Sequence, residues 1–163
     1  MQNFNLSDHF SFYELTNTSH SDLLEDNRME AMEQIETLRA LAQNILEPLR
    51  VKIGVKIFVN SGYRGKTLNA AVGGAKSSQH CYAEAADIIA EDNTATGLFN
   101  FIRENEDIFN GKLGQVILEK VGGAEWVHIS YKSKRFAEVL IDKYGSDDTV
   151  YLVTNDGKIY NVI

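Results

Sequence analysis

The chain carries, from residue 78 to residue 90, the stretch Ser-Gln-His-Cys-Tyr-Ala-Glu-Ala-Ala-Asp-Ile-Ile-Ala. Glycine and serine residues precede His80, which favours a loop, and the Ile-Ile pair after Asp87 is typical of a short buried strand. The stretch therefore predicts a loop that carries His80 and runs into a strand that begins at Asp87.

Two of the four histidines of the chain sit beside acidic residues, in this stretch and again in Glu125-Trp-Val-His128. A catalytic zinc ion takes three nitrogen or oxygen ligands from the protein and leaves one position for water. His80, Asp87 and His128 supply such a set, and Glu125 remains as a candidate base. The pattern predicts one zinc site.

Spacing alone leaves the ligand set open at one position. If residues 80 to 87 were helical, Glu84 would share a helix face with His80 and Asp87 and would be an equally good ligand. In the loop-to-strand interpretation Glu84 can point away from the metal. Composition favours that second interpretation.

The spacing in the second cluster raises a different question. Residues three apart on a regular strand point to opposite faces of the sheet. Glu125 and His128 can therefore reach one metal only if the strand bends near Trp126.

Composition indicates a single globular domain that spans residues 1–163. The chain is 44% hydrophobic and 24% charged, with one proline and a net charge of −7. Such a negative field disfavours nucleic acid as a partner, and no apolar run approaches the roughly 20 residues that cross a membrane. The first residues lack the features of a secretory signal. We therefore expect a monomer that is made in the cytoplasm and reaches a cell wall only if lysis releases it.

Hydrophobic periodicity predicts a long amphipathic helix that begins at an N-cap, Asn27, and ends near Pro48 and Gly54. A second helix starts near Thr94 or Thr96, and a short third helix covers 134–143. Strands are predicted at 55–59, 85–90, 115–119 and 125–130, of which the last two form a hairpin through a Gly-Gly turn, and a final hairpin is predicted over 149–163. The prediction is an α+β fold with a central antiparallel sheet and helices packed on one face.

Several segments together resemble the D-alanyl-D-alanine carboxypeptidase-like zinc peptidases. These segments are Ser61-Gly-Tyr-Arg64, Leu68-Asn69, Val72-Gly-Gly74, Ser78-Gln-His80, Ala85-Ala-Asp87 and Glu125-Trp-Val-His128. The family includes dipeptidases of vancomycin resistance and phage endolysins, and it shares a fold with the hedgehog signalling domain. The opening segment Leu6 to Leu15 is similar to that of the short, phage-like members. The resemblance covers residues 6 to 131 and leaves the C-terminal extension, 132–163, without a role.

The resemblance implies a role for each matching residue. His80, Asp87 and His128 would bind zinc, Glu125 would be the general base and acid, and Arg64 would stabilise the developing oxyanion. Ser78 falls near the substrate in such enzymes. Trp126 either lines the substrate cleft or packs under the sheet, and we assign it to substrate binding.

One departure from the family pattern lies inside the motif itself. The glycine that is usual between the histidine and aspartate ligands is Ala83 in this chain. An alanine at positive φ costs about 1 kcal/mol or more, so Ala83 either adopts ordinary angles or strains the loop.

The function that follows is a zinc metallopeptidase that cleaves a peptide bond in peptidoglycan stem peptides. We expect a D,D- or L,D-type carboxypeptidase or endopeptidase that acts as a phage or prophage lysin. Two alternatives stay open. One is a non-catalytic module of the same fold that binds peptidoglycan or builds a virion, and the other is a D-Ala-D-Ala dipeptidase or another small-peptide hydrolase.

Overall fold

The structure is a computed structural model that describes residues 1–162, without the side chains of residues 161 and 162. The helices are α1 Phe12–Leu15, α2 Leu24–Glu33, α3 Ile35–Leu41, α4 Glu47–Ile53, α5 Lys66–Ala71, α6 Ala95–Glu104 and α7 Lys134–Tyr144. A π-helical turn, Ala42–Leu46, joins α3 to α4, and 3₁₀ turns lie at Gln79–Tyr82 and Glu106–Phe109. The strands are β1 Ile57–Ser61, β2 Ala85–Ala90, β3 Leu113–Val121, β4 Ala124–Tyr131, β5 Val150–Asn155 and β6 Lys158–Val162.

The six strands form one sheet in the order β1-β2-β4-β3-β5-β6. Every neighbouring pair is antiparallel except β3 and β5, which run parallel because β4 first returns the chain to the end of the sheet where β3 begins, and α7 then leads past β3 into β5. The predicted α+β fold is confirmed, although the sheet is mixed. The short helix predicted at 134–143 is α7, and it connects β4 to β5, which lie on opposite sides of β3.

Different helices pack on the two faces of the sheet. On one face, Ile88, Val116, Val127 and Ile129 pack with the central helices into the main core. On the other face, α7 lays Phe136 and Leu140 on strand residues that include Leu152 and Ile117. The prediction that helices pack on one face alone is therefore wrong, because the amphipathic α7 has its own apolar surface to bury.

The long predicted helix is present but interrupted. Its second half has the expected buried stripe, and Gly54 ends α4 in the left-handed conformation at φ 76°. Pro48 lies near the start of α4, directly after the π turn. Proline has no amide hydrogen and its ring crowds the carbonyl four residues earlier, which gives the π turn a physical cause.

Asn27 is not the N-cap that the pattern predicts, because α2 begins three residues earlier. Its buried side chain instead joins three segments of the chain. The amide donates to the carbonyl oxygens of Thr16 at 3.0 Å and Tyr63 at 3.2 Å, and the amide oxygen accepts from the backbone N–H of Gly65 at 2.7 Å. Asn27 therefore holds both neighbours of Arg64 in place.

Two hairpins were predicted from the sequence. The β3–β4 hairpin turns through Gly122 and Gly123, which both have positive φ, as a two-residue primed turn requires. The β5–β6 hairpin turns at Asp156 and Gly157, and the last residue of its predicted range, Ile163, lies outside the described residues. Strand β1 is Ile57–Ser61, two residues later than predicted. Within the described part of the chain, none of the helices has the length and apolar character needed to cross a membrane.

We expect Asn27→Ala to lower the free energy of unfolding by about 2–3 kcal/mol, since it removes three buried hydrogen bonds at about 1 kcal/mol each. Asn105→Ala is the matched control, because that side chain makes one bond, to the carbonyl of Phe101 in its own helix. It should cost about 1 kcal/mol or less. Urea unfolding of both variants measures the difference, and equal losses would contradict the bridging role of Asn27.

Candidate metal centre

Strand pairing brings the predicted ligands together. Asp87 on β2 lies directly opposite His128 on β4, so both side chains are on the same face of the sheet. His80 comes from the 3₁₀ turn that precedes β2. Oδ1 of Asp87 is 3.2 Å from Nε2 of His80 and 3.1 Å from Nδ1 of His128. All three residues therefore meet at one point.

The far nitrogen of each imidazole has a fixed partner. Nδ1 of His80 donates to the carbonyl oxygen of Gly62 at 2.7 Å, and Nε2 of His128 donates to Oε1 of Gln79 at 2.7 Å. A neutral imidazole with a hydrogen on one nitrogen has a lone pair on the other. When both imidazoles are neutral, the two nitrogens that face Asp87 therefore carry the lone pairs that a metal ion needs.

Gly62 can hold this position because it lacks a side chain. A Cβ at residue 62 would lie 2.3 Å from the carbonyl oxygen of Leu15, in the N-terminal segment. Glycine therefore permits the close approach of two backbones, and it places its carbonyl against His80.

The donor set fits zinc. One potential ligand atom from each of His80, Asp87 and His128 lies within 4.8 Å of the other two. Burial alone would raise the pKa of Asp87, but the contacts with His80 and His128 hold that pKa well below its usual value. Two imidazoles, one ionised carboxylate and fixed outer hydrogen bonds are typical of a catalytic zinc site.

Glu84 is not part of this cluster. Its buried carboxylate pairs with the guanidinium of Arg135 and accepts a hydrogen bond from Ser133. The loop-to-strand interpretation is thus the one that the structure supports. Between the ligands, Ala83 is fully buried at φ 56° and ψ 24°. The departure from the family glycine therefore places an alanine in the left-handed region, where it is strained.

Glu125 is not part of the cluster of His80, Asp87 and His128. Strand β4 pairs in unbroken register from Ala124 to Ile129, so the bend that Glu125 and His128 would need is absent from this strand. By alternation Glu125 points to the face opposite His128. It is 40% exposed, and its carboxylate lies 3.1 Å from Nζ of Lys120.

Glu119 lies on the face that carries the ligands. It is paired with Trp126 across the hairpin, and Trp126 is two residues from His128, so all three side chains share that face. Burial raises the pKa of Glu119, as does the nearby Asp87, whereas His128 and Arg64 lower it. Glu119 is thus a carboxyl group within electrostatic reach of His128, Asp87 and Arg64.

The remaining predicted residues surround the cluster. The backbone N–H of Arg64 donates to the carbonyl of His80 at 3.1 Å, and Nη2 lies 3.5 Å from Oγ of Ser78. Arg64 makes no ion pair with any described residue. Ser78 caps the turn that carries His80. Trp126 shares the metal face, and its buried indole N–H makes no hydrogen bond within the described residues.

Cys81 follows His80 but stays outside the cluster. Burial raises the pKa of its thiol, and Arg64 lowers that pKa by a smaller amount. A raised pKa keeps the sulfur in its weakly nucleophilic thiol form. Cys81 therefore has no features of a nucleophile in this site.

Two residues of the site escaped the sequence analysis, and only one of them had a detectable signal. The two-residue turn at Gly122 and Gly123 fixes the hairpin register, and counting back from His128 would have placed Glu119 on its face. The hydrogen bond from His128 to Gln79 had no such signal, because it depends on where the 3₁₀ turn directs one side chain.

We predict that Gln79→Leu weakens zinc binding about 10- to 100-fold, since it removes the acceptor that orients His128. Gln79→Glu keeps an acceptor and should retain most of the affinity. Gln115→Leu is the control on the same face, because Gln115 lines the neighbouring cavity without a side-chain bond to a ligand. Competition with a zinc chelator measures all three affinities, and wild-type affinity in Gln79→Leu would contradict the assignment.

Comparison with known proteins agrees with this geometry. A family model described as Peptidase M15 matches residues 9–130, which include all three ligands and Glu119 but not α7. No curated protein matches the chain. The match covers more than half of the chain and joins a buried His-Asp-His cluster to a family of zinc enzymes. The chain therefore belongs to the peptidase M15 family, the family of zinc D-Ala-D-Ala carboxypeptidases and dipeptidases.

Proposed function

We propose that the protein is a zinc peptidase that hydrolyses a peptide bond in the stem peptides of bacterial peptidoglycan, at a D,D or L,D linkage. The observation that carries the proposal is the convergence of His80, Asp87 and His128 on one face, with Glu119 and Arg64 beside them. A metal site with two imidazoles, a carboxylate and a further carboxyl group nearby has the parts that peptide hydrolysis requires.

Zinc, when bound, acts as a Lewis acid that polarises the scissile carbonyl and makes water acidic enough to lose a proton near neutral pH. Glu119 accepts that proton as the water oxygen attacks the carbonyl carbon. It then delivers the proton to the amide nitrogen as the carbon–nitrogen bond breaks, which leaves a free amine and a carboxylic acid that loses its remaining proton to solvent. The raised pKa of Glu119 favours both transfers, because a base poised nearer to neutral pH can also act as an acid.

Arg64 places a fixed positive charge beside the reacting carbonyl. Its guanidinium makes no ion pair with the described residues, so its charge is available to a developing oxyanion. Such a group is typically worth a few kcal/mol of transition-state stabilisation. Asn27 holds the backbone on both sides of Arg64, and the carbonyl of His80 accepts from the backbone N–H of Arg64 itself, so these contacts limit its movement.

Glu119 replaces Glu125 as our candidate for the general base. The support is geometric, since Glu125 is paired with Lys120 on the opposite face of the hairpin and Glu119 faces the ligands. The resemblance to the family assigned the role to Glu125 through its spacing from His128. In this chain, that spacing lies on a regular strand, where it separates the two side chains.

A lytic role for a phage or prophage is the finer part of the proposal. Its support is the similarity of the opening segment to the short, phage-like relatives. Addition of purified protein to permeabilised cells or isolated walls tests this role. Release of soluble wall fragments would support it, whereas trimming of stem peptides without loss of turbidity would replace it with a maturation role.

We expect Glu119→Gln to lower kcat about 10²- to 10⁴-fold on a stem peptide while zinc content stays unchanged, because the variant keeps the ligands and loses the base. Glu125→Gln is the matched control in the same hairpin. It should keep activity within about twofold, since it loses only an exposed ion pair. Amine release from the peptide, with zinc and with chelator, measures both.

Two outcomes would contradict parts of this account. If Glu125→Gln abolished hydrolysis and Glu119→Gln retained it, the base would be Glu125. If the zinc-loaded wild-type protein released no amine from any stem peptide or from isolated walls, the proposed function itself would be wrong.

A further inference from the structure

A cavity of about 310 Å³ opens beside His128, between the metal face of the sheet and α7. Ser78 lines it next to the cluster, and Ile117 forms part of its floor. Its outer wall is α7, which contributes Phe136, Val139 and Tyr144 among others. The volume is at the lower end of the roughly 300–1,000 Å³ range of ligand pockets. The cavity therefore suits a small substrate residue beside the metal.

The charge of this cavity is the reverse of the charge of the protein. Its described lining includes Lys143, His128 and Tyr144 as titratable groups, and it contains no aspartate or glutamate. The chain as a whole carries a net charge of −7. A cavity whose fixed charge is one ammonium group, in an acidic protein, favours an anionic ligand group.

Lys143 is held in the last turn of α7 by the anchoring of that helix. Ser133 caps the N-terminus of α7, Gly145 ends the helix at φ 81°, and the buried Leu140 fixes its apolar side on the sheet. Nζ of Lys143 lies 5.1 Å from the ring centroid of Tyr144. Within the described residues Lys143 makes no ion pair. Its ammonium is therefore free to bind a ligand.

A second cavity, of about 190 Å³, has a different character. It is lined by Arg64 and by polar residues that include Asn60 and Ser61 of β1. Arg64 belongs to both regions, because Nη2 lies 3.5 Å from Ser78 in the lining of the first cavity. The cavity beside Arg64 is thus lined by polar residues. The cavity under α7 is more apolar and has one cationic side chain, Lys143, in its lining.

We propose that the cavity under α7 is the subsite for the leaving residue of the substrate, and that Lys143 binds the free α-carboxylate of that residue. The proposal rests on the proposed peptidase function and makes the enzyme a carboxypeptidase for a small terminal residue. Arg64 then serves the scissile carbonyl, and Lys143 serves the chain end. Helix α7, outside the segment that matches the family model, becomes the element that sets exopeptidase specificity.

The test compares an N-acetylated L-Lys-D-Ala-D-Ala peptide that ends in a free carboxylate with the same peptide ending in a carboxamide. Lys143→Ala should raise KM for the free acid roughly fivefold or more and leave kcat unchanged, because Lys143 contacts the substrate away from the reacting atoms. KM for the amide should not change with the substitution. Lys143→Arg, which keeps the charge, should restore most of the loss.

Lys134→Ala is the control on the same helix. Lys134 is the first residue of α7 and lines a separate cavity with Glu84 and Arg135. Its loss should leave KM for both peptides unchanged. An effect on both peptides in either variant would show that α7 had moved, which circular dichroism and thermal unfolding of each variant would detect.

Binding to the zinc-loaded Glu119→Gln variant separates this proposal from the proposed function. Calorimetric titration should show a preference for the free acid that disappears when Lys143→Ala is added. If the wild-type enzyme hydrolyses both peptides equally and Lys143→Ala changes neither, the subsite proposal is wrong while the peptidase function stands. If no hydrolysis occurs but the binding preference depends on Lys143, the function is wrong and the subsite stands. Equal binding of acid and amide overturns the subsite in either case.

Discussion

The contact between Asp87 and His128 across strands β2 and β4 is the interaction on which the rest of the site depends. Direct opposition in an antiparallel pair puts both side chains on one face at short range. A slip of one residue in that register would send one ligand to the opposite face and destroy the cluster. The main core prevents the slip, because Ile88, Val127 and Ile129 alternate with the ligands and are fully buried on the other face.

The same alternation places Glu119, and not Glu125, on the face of the sheet that carries His128 and Asp87. The side chain of Glu119 lies on the same face as His128, so burial and neighbouring charges shift its pKa. The side chain of Glu125 lies on the opposite face and pairs with Lys120. The other residues of the site come from segments between the strands. The 3₁₀ turn brings His80 and Gln79, and the segment held by Asn27 brings Arg64. The metal face is then closed on one side by α7.

Much of this arrangement follows from the sequence. Strand β2 and the glycine turn of the β3–β4 hairpin have strong local signals, and the loop composition before His80 correctly favoured a strand at Asp87 over a helix. The helix at α2 was harder, because its buried side is formed by Asn27, Arg28 and Ala31 while Met29 is 64% exposed. Polar residues were buried there to bridge segments distant in sequence, which no hydrophobic pattern records.

The features of the site that the sequence did not predict also depend on contacts between segments distant in sequence. Spacing identified the three residues of the cluster, and a motif assigned Glu125, but the hairpin register that favours Glu119 is a property of two paired strands. The parallel pairing of β3 with β5 and the placement of α7 beside His128 are likewise long-range. The fold of the C-terminal extension could be predicted as a helix and a hairpin, whereas its position over the metal face could not.

Zinc K-edge X-ray absorption on the stoichiometrically loaded protein tests the central claim most directly, which is that His80, Asp87 and His128 bind one zinc ion. We predict a first shell of nitrogen and oxygen only, at about 2.0–2.1 Å, with the outer scattering of two imidazoles, and loss of one imidazole in His128→Ala. A sulfur neighbour at about 2.3 Å, which would implicate Cys81, or a spectrum unchanged by His128→Ala would contradict it.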